Sequence, residues 1–503
     1  MTLAVQFTKA ANGELTCNVN GIRLHSAYNP SHEASQFVLS LSCAFNPKFI
    51  LITEPCLSYC VNALRKSYPQ TVLCAVRYTN DFSMTDALWD KVFFCTGEQA
   101  SVSLSEQLFS YLGDEGIVSC LFASWKPSES AFASQYDFCW QQIRAAVIKS
   151  KNVLTTRSYF AKRWSKNALR NCLFIKNIVK VHSGTSPVIL CASGTSLTSS
   201  LPFIKANQNR CSIICVSSAL APLVANNITP DLCISTDGGY WAKKHLSFAV
   251  DAVPDMVIAI SPESAVSSSV LQSHPILPLL YGDGIGDDLF NAMNIKGMRA
   301  MRNGTVSGTA VELALALTTG PLFFCGLDLA PSKNFSHVKP NELENTDAPF
   351  DYRCSTTDTR LTPSSFRSPS LEIYHSWFAS ASFDSRVFRL SDNWKYSNTL
   401  GEIKECNWHD FDLRSNTFAA SKFYFEKEHD CQRYACTQDD LLSLISKNNL
   451  NGEWIKSAVP AEAIIYERSK GTQQESSALK NVIKGMSVFY KDILRAIGKE
   501  GCL

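Results

Sequence analysis

A short turn of small and hydroxylic residues in the middle of the chain has the clearest potential for chemistry. Ser193-Gly194-Thr195-Ser196 follows the uncharged run PVILCA and leads directly into a helix-like segment. Gly194 would let the backbone approach an oxyanion closely, and the hydroxyl groups of Thr195 and Ser196 could donate hydrogen bonds to it. The N-terminus of the following helix would favour negative charge. The pattern therefore predicts a phosphate-binding turn.

Two more strand-to-helix steps follow this turn. The run SIICVS passes through Ser217 into the helix-like SALAPLVANN, and the run PDLCIST ends at Asp237 before two glycines. A carboxylate at the carboxyl end of a parallel strand suits contacts to a ribose or a base. We therefore interpret residues 187–237 as a nucleotide-binding βαβαβ unit, with Ser217 and Asp237 as further candidate ligand contacts.

A second cluster of small and polar residues precedes the helical run VELALALTT. Asn303, Gly304 and Thr305 lie in this cluster, where an anion or a nucleotide could rest on the helix N-terminus. Ordinary capping with close helix packing explains the same residues equally well. Pairing with the Ser193–Ser196 turn in one sheet favours the ligand interpretation.

An acid and a histidine follow the last strong strand of the central region. Asp328 leaves the strand LFFCG, and His337 lies on the loop beyond it. The two side chains could line one cleft, with His337 acting as a general base because the pKa of histidine lies near neutrality. Asp237, Asp328 and His337 are the candidate catalytic residues.

Two other motifs are weaker. The acids of Asp410-Phe411-Asp412 match a pattern that holds a divalent ion against a nucleotide diphosphate, but the match is short and lies beyond the core strands. The run from Gly282 to Gly286 is rich in glycine, but Asp283 in it would repel phosphate, so we interpret it as a flexible loop near the cleft. No metal site is predicted, and neither a Walker A sequence nor a G-x-S-x-G elbow is present.

The elements that position these residues belong to an α/β protein. Uncharged strands alternate with helical segments in the centre, which predicts a Rossmann-like, mainly parallel sheet covered on both faces. We expect a smaller N-terminal α/β domain over residues 1–150, the central nucleotide-sugar-binding domain over 151–415 and a helical C-terminal region over 416–503.

Composition narrows the class of protein. The chain has 503 residues and is 45% hydrophobic, which is enough for more than one domain core. Its net charge of +2 gives no indication of a nucleic-acid-binding protein. Its 19 cysteines have no regular spacing and lie mostly in apolar runs, which favours small buried hydrophobes in a reducing compartment. The sequence shows no secretory signal and no apolar stretch long enough to span a bilayer, so we expect a cytoplasmic location.

Several segments in the same order resemble the motility-associated factor (Maf) family of flagellin glycosyltransferases, which shares its central domain with an archaeal hydroxymethyldihydropterin pyrophosphokinase. The segments that resemble the family are ASGTSL, VSSALAPLVANNITPDLCISTD, NGTVSGTAVELALAL, FFCGLDLA, LHSAYNPSHEASQF, YFAKRWSKNALRN and YHSWFASASFDSRVFRLSDNWKYSNTLGEI. The likeness covers most of residues 22–412. In the phosphate turn, Ala192 replaces the family's first glycine and Thr195 replaces its proline.

The resemblance implies transfer of a nonulosonic, sialic-acid-like sugar such as pseudaminic or legionaminic acid from its CMP-activated form to Ser or Thr of flagellin. It implies no tightly bound cofactor and no required metal, and it allows a homo-oligomer. By this interpretation Ser193, Gly194, Thr195 and Ser196 hold phosphate.

Three alternatives remain open at this point. The shared central domain is also typical of a pyrophosphokinase-type transferase that uses ATP and Mg²⁺. The flanking regions would equally serve a catalytically silent flagellin-binding factor, and the changes in the phosphate turn leave room for an inactive family member.

Overall fold

The computed structural model describes residues 5–41, 43–95, 103–329, 337–342, 369–381, 383, 385–392, 395–396, 398–415, 421–428, 437–447 and 451–498. The chain forms two compact units. Unit 1 consists of Met1–Ala161 and Ile455–Phe489, and unit 2 consists of Lys162–Trp454 and Tyr490–Leu503. The three domain ranges expected from the sequence stay a prediction.

Unit 1 contains two small sheets. The first is antiparallel, with strands β1 (Gln6–Lys9), β2 (Leu15–Val19) and β3 (Ile22–Arg23). The second is parallel, in the order β6-β5-β4-β7, with strands β4 (Phe49–Thr53), β5 (Val72–Arg77), β6 (Lys91–Phe94) and β7 (Cys120–Ser124). The uncharged runs FILIT and VLCAV form two of these strands.

The helices along the first third of the chain cover the parallel sheet or connect its strands. They are α1 (Pro30–Ser40), α2 (Cys60–Ser67), a 3₁₀ helix (Asn80–Leu88), α3 (Leu104–Val118), α4 (Lys126–Ala131) and the long α5 (Ala133–Phe174). Helix α5 contains the aromatic and basic segment YFAKRWSKNALRN.

A larger sheet dominates unit 2. Its strand order is β17-β16-β15-β9-β10-β11-β12-β13-β8-β18, and β14 pairs with β13. The strands are β8 (Asn177–His182), β9 (Val188–Cys191), β10 (Ser212–Val216), β11 (Leu232–Ser235), β12 (Val257–Ile260), β13 (Pro275–Leu280), β14 (Met298–Arg299), β15 (Leu322–Cys325), β16 (Val387–Leu390), β17 (Lys404–Cys406) and β18 (Tyr424–Lys427).

All described strand pairs of this sheet are parallel except the pairing of β18 with β8. Every residue of β9, β10, β11 and β12 is buried. Strands buried on both faces need continuous apolar runs, and such runs gave the sequence prediction. The predicted α/β class with a mainly parallel central sheet is confirmed.

The order of the strands marks a switch point in the large sheet. From β9 the chain adds β10, β11, β12 and β13 on one side, and it later returns to place β15 on the other side of β9. In open parallel sheets, ligands bind beyond the carboxyl ends of the strands where the order reverses. The strand order therefore indicates that a ligand would bind at the residues that follow β9 and β15.

The remaining helices connect these strands or form the C-terminal region. They are α6 (Leu197–Asn207), α7 (Leu220–Ala225), α8 (Tyr240–Ala249), α9 (Ser268–Ser273), α10 (Gly284–Ala292), α11 (Val306–Leu317), α12 (Pro369–Ser380), α13 (Trp408–Ser415), α14 (Gln438–Lys447), α15 (Gly452–Ala458), α16 (Pro460–Ser469) and α17 (Glu475–Gly498), with 3₁₀ helices at Ser217–Ala219 and Val250–Ala252. No helix in the described ranges is sufficiently long and apolar to cross a membrane.

Two local expectations need correction. The run from Gly282 to Gly286 is not wholly a loop, because α10 begins at Gly284. Near the C-terminus, the three- and four-residue spacing of Leu479, Ile483, Met486, Tyr490 and Ile493 predicts an amphipathic helix. In α17, Met486, Tyr490 and Ile493 are buried as expected, but Leu479 and Ile483 are 38% and 47% exposed. Val482, which lies outside the predicted face, is fully buried.

The described cysteines are free thiols, and all of them except Cys43 are buried. Cys191, Cys215, Cys233 and Cys325 lie within strands of the large sheet. Burial raises the pKa of the Cys191 thiol well above its ordinary value, so the group stays neutral. The prediction that cysteines serve here as small hydrophobes is confirmed for these residues.

An arginine fills the carboxyl edge of the parallel sheet in unit 1. The fully buried guanidinium of Arg77 donates to Glu54 Oε1 (3.0 Å) and to the Cys56 carbonyl (2.9 Å). It also donates to Asp86 Oδ1 at 2.8 Å and Thr85 Oγ1 at 2.7 Å. No glycine-rich turn follows FILIT in the sequence, and the structure shows an internal cation at that position.

His25 provides a pH-dependent contribution to the stability of unit 1. Its ring is buried against Trp125, with centroids 5.1 Å apart, and Nε2 accepts a hydrogen bond from Leu57 N at 3.1 Å. Burial lowers the pKa of His25 to about 3. In the unfolded chain, the imidazole takes up a proton near pH 6.5, whereas in the folded chain it does so only near pH 3. The contribution of His25 to the free energy of unfolding is therefore fully present above pH 6.5 and is lost as the pH falls toward about 3.

We expect His25→Gln to remove this pH dependence. Between pH 6.5 and 5, protection of β4 and β7 amides in the unaltered chain should fall by roughly tenfold per pH unit relative to the variant, because one pKa unit is about 1.4 kcal/mol. Hydrogen exchange measured by mass spectrometry at matched pH tests this, with the exposed His32→Gln as control. Identical pH profiles for His25→Gln and the unaltered chain would contradict the assignment.

Candidate functional site

The turn after β9 is closed by a carboxylate from the neighbouring strand. Asp328, which follows β15, accepts a hydrogen bond from Ser196 N at 2.9 Å and another from Thr195 Oγ1 at 3.2 Å. The Ser196 hydroxyl also donates to Asp328. Donors that the sequence assigned to a phosphate are therefore engaged by an internal anion.

Gly194 is required for this arrangement. A Cβ atom at position 194 would lie 2.5 Å from Asp328 Cγ and 2.5 Å from the Gly326 carbonyl oxygen. The Gly194 N–H donates to that same carbonyl at 2.8 Å. The glycine therefore permits the close approach of two chain segments as well as any approach of a ligand.

Ser193 connects the turn to His337. The Ser193 hydroxyl lies 2.9 Å from His337 Nδ1, and Ser218 Oγ donates to Ser193 Oγ at 2.9 Å. The backbone supports this contact, because Val338 N donates to the Ser193 carbonyl at 2.9 Å. The structure thus brings His337 to the carboxyl end of β9, beside the predicted phosphate turn.

His337 is neutral at physiological pH in this setting. Burial lowers its pKa below the ordinary histidine value, and a hydrogen bond with the Ser193 backbone opposes that shift only in part. The ring of His245 lies 6.4 Å from that of His337, and the pKa of His245 is lowered to about 4 by burial and by the proximity of His337. A neutral imidazole can accept a proton at one nitrogen and donate from the other.

Asp237 lies at the carboxyl end of β11, as predicted. Its Oδ1 accepts a hydrogen bond from Gly239 N at 2.9 Å, which orders the start of α8. Tyr374 of α12 interacts with it electrostatically: burial raises the pKa of Tyr374, and the Asp237 charge raises it further. Helix α12 therefore contributes a side chain that the sequence did not nominate.

Asn303, Gly304 and Thr305 precede α11, and Thr305 is its N-cap residue. Helix α11 packs on β9, β10 and β11. Because it connects back to the start of β15, its N-terminus faces the carboxyl edge of the sheet. The Nδ2 atom of Asn303 is buried without a hydrogen-bond partner, and a Cβ atom at Gly304 would meet nothing within 4 Å.

The structure therefore unites most of the predicted site residues at one edge. Thr195 and Ser196 donate hydrogen bonds to Asp328, and Ser193, the first residue of the same turn, is hydrogen-bonded to His337. Ser217 and Asp237 follow the adjacent strands β10 and β11, and the start of α11 reaches the same edge. No described hydrogen bond joins these last residues to the Asp328–His337 group.

Sequence reasoning missed the residues that hold Asp328 in place. Tyr396 OH lies 3.4 Å from Ser196 Oγ, and Asn398 Nδ2 donates to the Asp328 carbonyl at 3.0 Å. The buried Arg389 donates to Asn398 Oδ1 at 2.9 Å and places its guanidinium 3.7 Å from the centroid of the Tyr396 ring. The polar and aromatic residues of the segment SDNWKYSNTL, which follows a strand, could have indicated a functional role. Their partners Ser196 and Asp328 are remote in sequence, so the contacts could not be predicted.

The two acids of Asp410-Phe411-Asp412 have structural partners. They lie on α13, where Phe411 is fully buried and Asp412 forms an ion pair with Arg210. Asp410 Oδ2 accepts from Asn407 N at 3.3 Å at the start of the helix. Within the described ranges, no group of three or more His, Cys, Asp or Glu side chains is arranged to hold a metal ion.

Asp328→Asn should weaken the turn. An amide offers one oxygen where the carboxylate offers two, so at least one donor of Thr195 or Ser196 loses its acceptor, at a cost of roughly 1–3 kcal/mol. Differential scanning calorimetry should show a lower melting temperature for Asp328→Asn than for Asp251→Asn, which alters an exposed acid. Equal melting temperatures would contradict the importance of the carboxylate.

Gly194→Ala should destabilise unit 2, because the new methyl group would meet the Gly326 backbone, which cannot turn aside as a flexible side chain would. We expect a loss of roughly 1–3 kcal/mol, typical of overpacking, measured by urea unfolding. Gly452→Ala is the control, since a Cβ atom there meets nothing within 4 Å. Equal losses for both variants would count against the close approach.

The chain is similar to known proteins both in sequence and in fold. Residues 162–334 match the sequence model of the family described as 6-hydroxymethylpterin diphosphokinase MptE-like. An uncharacterized protein of Treponema pallidum (strain Nichols) is 32% identical over 286 residues, which are 57% of this chain and 62% of the relative. The chain thus spans less than two thirds of that relative's length.

A solved structure shares the fold. The structure of the MAf glycosyltransferase from Magnetospirillum magneticum AMB-1 aligns with a TM-score of 0.50 at 12% identity, over 98% of this chain and 90% of that chain. The match extends well beyond the MptE-like segment to both ends of the sequence. The chain thus shares the fold of that glycosyltransferase structure, and its residues 162–334 are similar to the MptE-like family.

Proposed function

We propose that this protein is a glycosyltransferase that moves a nonulosonic sugar from a CMP-activated donor to Ser or Thr of flagellin. The observation that supports this most is the convergence of Ser193, Asp328 and His337 at the switch point of the large sheet. The match of fold with a solved glycosyltransferase supports the same reaction class. The choice of CMP, of a nonulosonic acid and of flagellin comes from the sequence resemblance.

The reaction needs one bond made and one broken. The acceptor hydroxyl oxygen bonds to the anomeric carbon of the sugar as the bond between that carbon and the phosphate oxygen breaks, and CMP leaves with the electron pair. The hydroxyl proton passes to a base or to the leaving phosphate. Hydrogen-bond donors positioned at the leaving phosphate stabilise its developing charge.

The roles follow from the placement of the residues. His337 is a group at the edge that can exchange a proton: it either accepts the acceptor's proton or donates a hydrogen bond to the departing phosphate. Asp328 holds the turn of Thr195 and Ser196 in one conformation. Asp237 contacts the nucleotide, while Asn303 and the residues beside it close the pocket.

A second candidate function has specific support. The MptE-like match over residues 162–334 favours a pyrophosphokinase-type transferase that uses ATP and Mg²⁺. The large regions on either side of that segment favour a protein acceptor, because transfer between small molecules does not need them. A silent flagellin-binding factor is the third candidate and would bind neither nucleotide.

Calorimetric titration of the purified protein with CMP and with ATP, each with and without Mg²⁺, distinguishes these candidates. We expect saturable binding of CMP without metal, lost in Ser196→Trp because the bulky ring displaces the turn from Asp328. Preference for ATP with Mg²⁺ would support the pyrophosphokinase, and binding of neither nucleotide would support the silent factor. Binding of CMP would justify a transfer assay with purified flagellin and a CMP-nonulosonate.

In the transfer assay, His337→Asn should lower kcat by roughly 10²–10⁴-fold, the usual contribution of a general acid or base. The rate of the unaltered protein should fall only below the ordinary histidine pKa, because burial lowers the pKa of His337 and keeps it neutral above that point. The exposed His409→Asn is the control. An unchanged kcat in His337→Asn would remove His337 from the mechanism.

A further inference from the structure

Two cations that have no ion-pair partner among the described residues lie near the carboxyl edge of the large sheet. Arg170 belongs to the C-terminal part of α5, and Lys243 lies in the first turn of α8, shortly after β11. Both side chains are partly buried. Neither forms an ion pair with any residue in the part of the chain that the structure describes.

A network of hydrogen bonds fixes the position of Arg170. The Asn167 amide donates to the carbonyl of Gly238 at 3.1 Å and to that of Glu263 at 2.8 Å, and its Oδ1 accepts from Arg170 Nη2 at 2.7 Å. These carbonyls belong to the loops that follow β11 and β12. Arg170 Nε is buried and has no hydrogen-bond partner.

The two cations oppose each other electrostatically. Burial lowers the pKa of Lys243, and the charges of Arg170 and Lys244 lower it further. The nearby Glu263 does not neutralise them, because its carboxylate is held by Arg302 through contacts of 2.6 and 2.9 Å. Partly buried charge without a partner is costly, and an anionic ligand would relieve that cost.

Two exposed aromatic residues precede Lys243 in the first turn of α8. Tyr240 and Trp241 open α8, are 58% and 36% exposed, and have ring centroids 5.4 Å apart. Such rings provide flat apolar surfaces for a sugar or a base. The combination of two cations and two rings suits a ligand in which an acid is attached to a ring.

We infer that Arg170 and Lys243 form a subsite for the carboxylate or the phosphate of an acidic sugar nucleotide. The inference rests on the proposed function for the identity of the ligand, and it adds residues that the Ser193–His337 group does not contain. A carboxylate would come from the sugar and a phosphate from the nucleotide. The recognition chemistry is the same in both cases: charge-assisted hydrogen bonds from a guanidinium and an ammonium group.

Binding of two probes distinguishes the two sources. CMP carries the phosphate alone, whereas CMP-N-acetylneuraminic acid also carries a sugar carboxylate. Arg170→Gln and Lys243→Gln should each weaken binding by roughly tenfold or more, as expected for loss of a charge-assisted hydrogen bond. Weaker binding of CMP-N-acetylneuraminic acid alone assigns the subsite to the carboxylate, and weaker binding of both probes assigns it to the phosphate.

Lys205→Gln is the matched control, because Lys205 is an exposed lysine near the end of α6. Calorimetry with all four proteins gives the comparison, and circular dichroism establishes that each variant is folded. Should Arg170→Gln fail to fold, Lys243→Gln carries the test alone. Affinities equal to the control for both probes would overturn the subsite.

Failure of the proposed function gives a different result. In that case the unaltered protein would bind neither CMP nor CMP-N-acetylneuraminic acid, and the subsite is tested with inorganic phosphate. Phosphate, compared with chloride at equal ionic strength, should raise the melting temperature of the unaltered protein and of Lys205→Gln, but not of Lys243→Gln. The same response in all three proteins, or none in the unaltered protein, would overturn the subsite.

Discussion

The candidate site depends on one interaction, the capture of the turn after β9 by the carboxylate of Asp328. Through it, the end of β15 is tied to the start of α6, and the strand order places these two segments side by side at the switch point of the sheet. Gly194 makes the approach sterically feasible, and the Arg389–Asn398 contact holds the backbone of Asp328 from the other side. The geometry of Ser193, and through it the position of His337, follows from this fixed turn.

This interaction also affects where on the sheet edge an anionic ligand can bind. Because Thr195 and Ser196 already serve a carboxylate, a phosphate placed on the same donors would meet a like charge. Arg170 and Lys243 lie instead beside the turn that follows β11, and neither has an ion-pair partner among the described residues. The edge of the sheet thus combines a turn whose donors are occupied by an internal carboxylate with a neighbouring region of positive charge.

The sequence predicted the elements better than the contacts between them. Runs such as VILC and SIICV are uncharged and rich in β-branched residues, so the buried parallel strands and the turn after β9 were recognisable. The partner of that turn was not, because Asp328 lies 132 residues beyond Ser196 and nothing local relates them. Leu479 and Ile483 were wrongly assigned to the buried face of α17 for a similar reason: neighbouring stripes are both apolar, and tertiary packing selects Val482 over Ile483.

Arg77 gives unit 1 a different physical character. Its guanidinium lies where a parallel sheet would otherwise present an open crevice, and Glu54, Cys56 and Ser58 adopt left-handed backbone conformations around it. The cation is covalently part of the chain, so its local concentration is constant and no dissociation equilibrium governs its occupancy. The folding free energy of this small sheet therefore includes its own bound ion, and dilution or dialysis cannot remove that contribution.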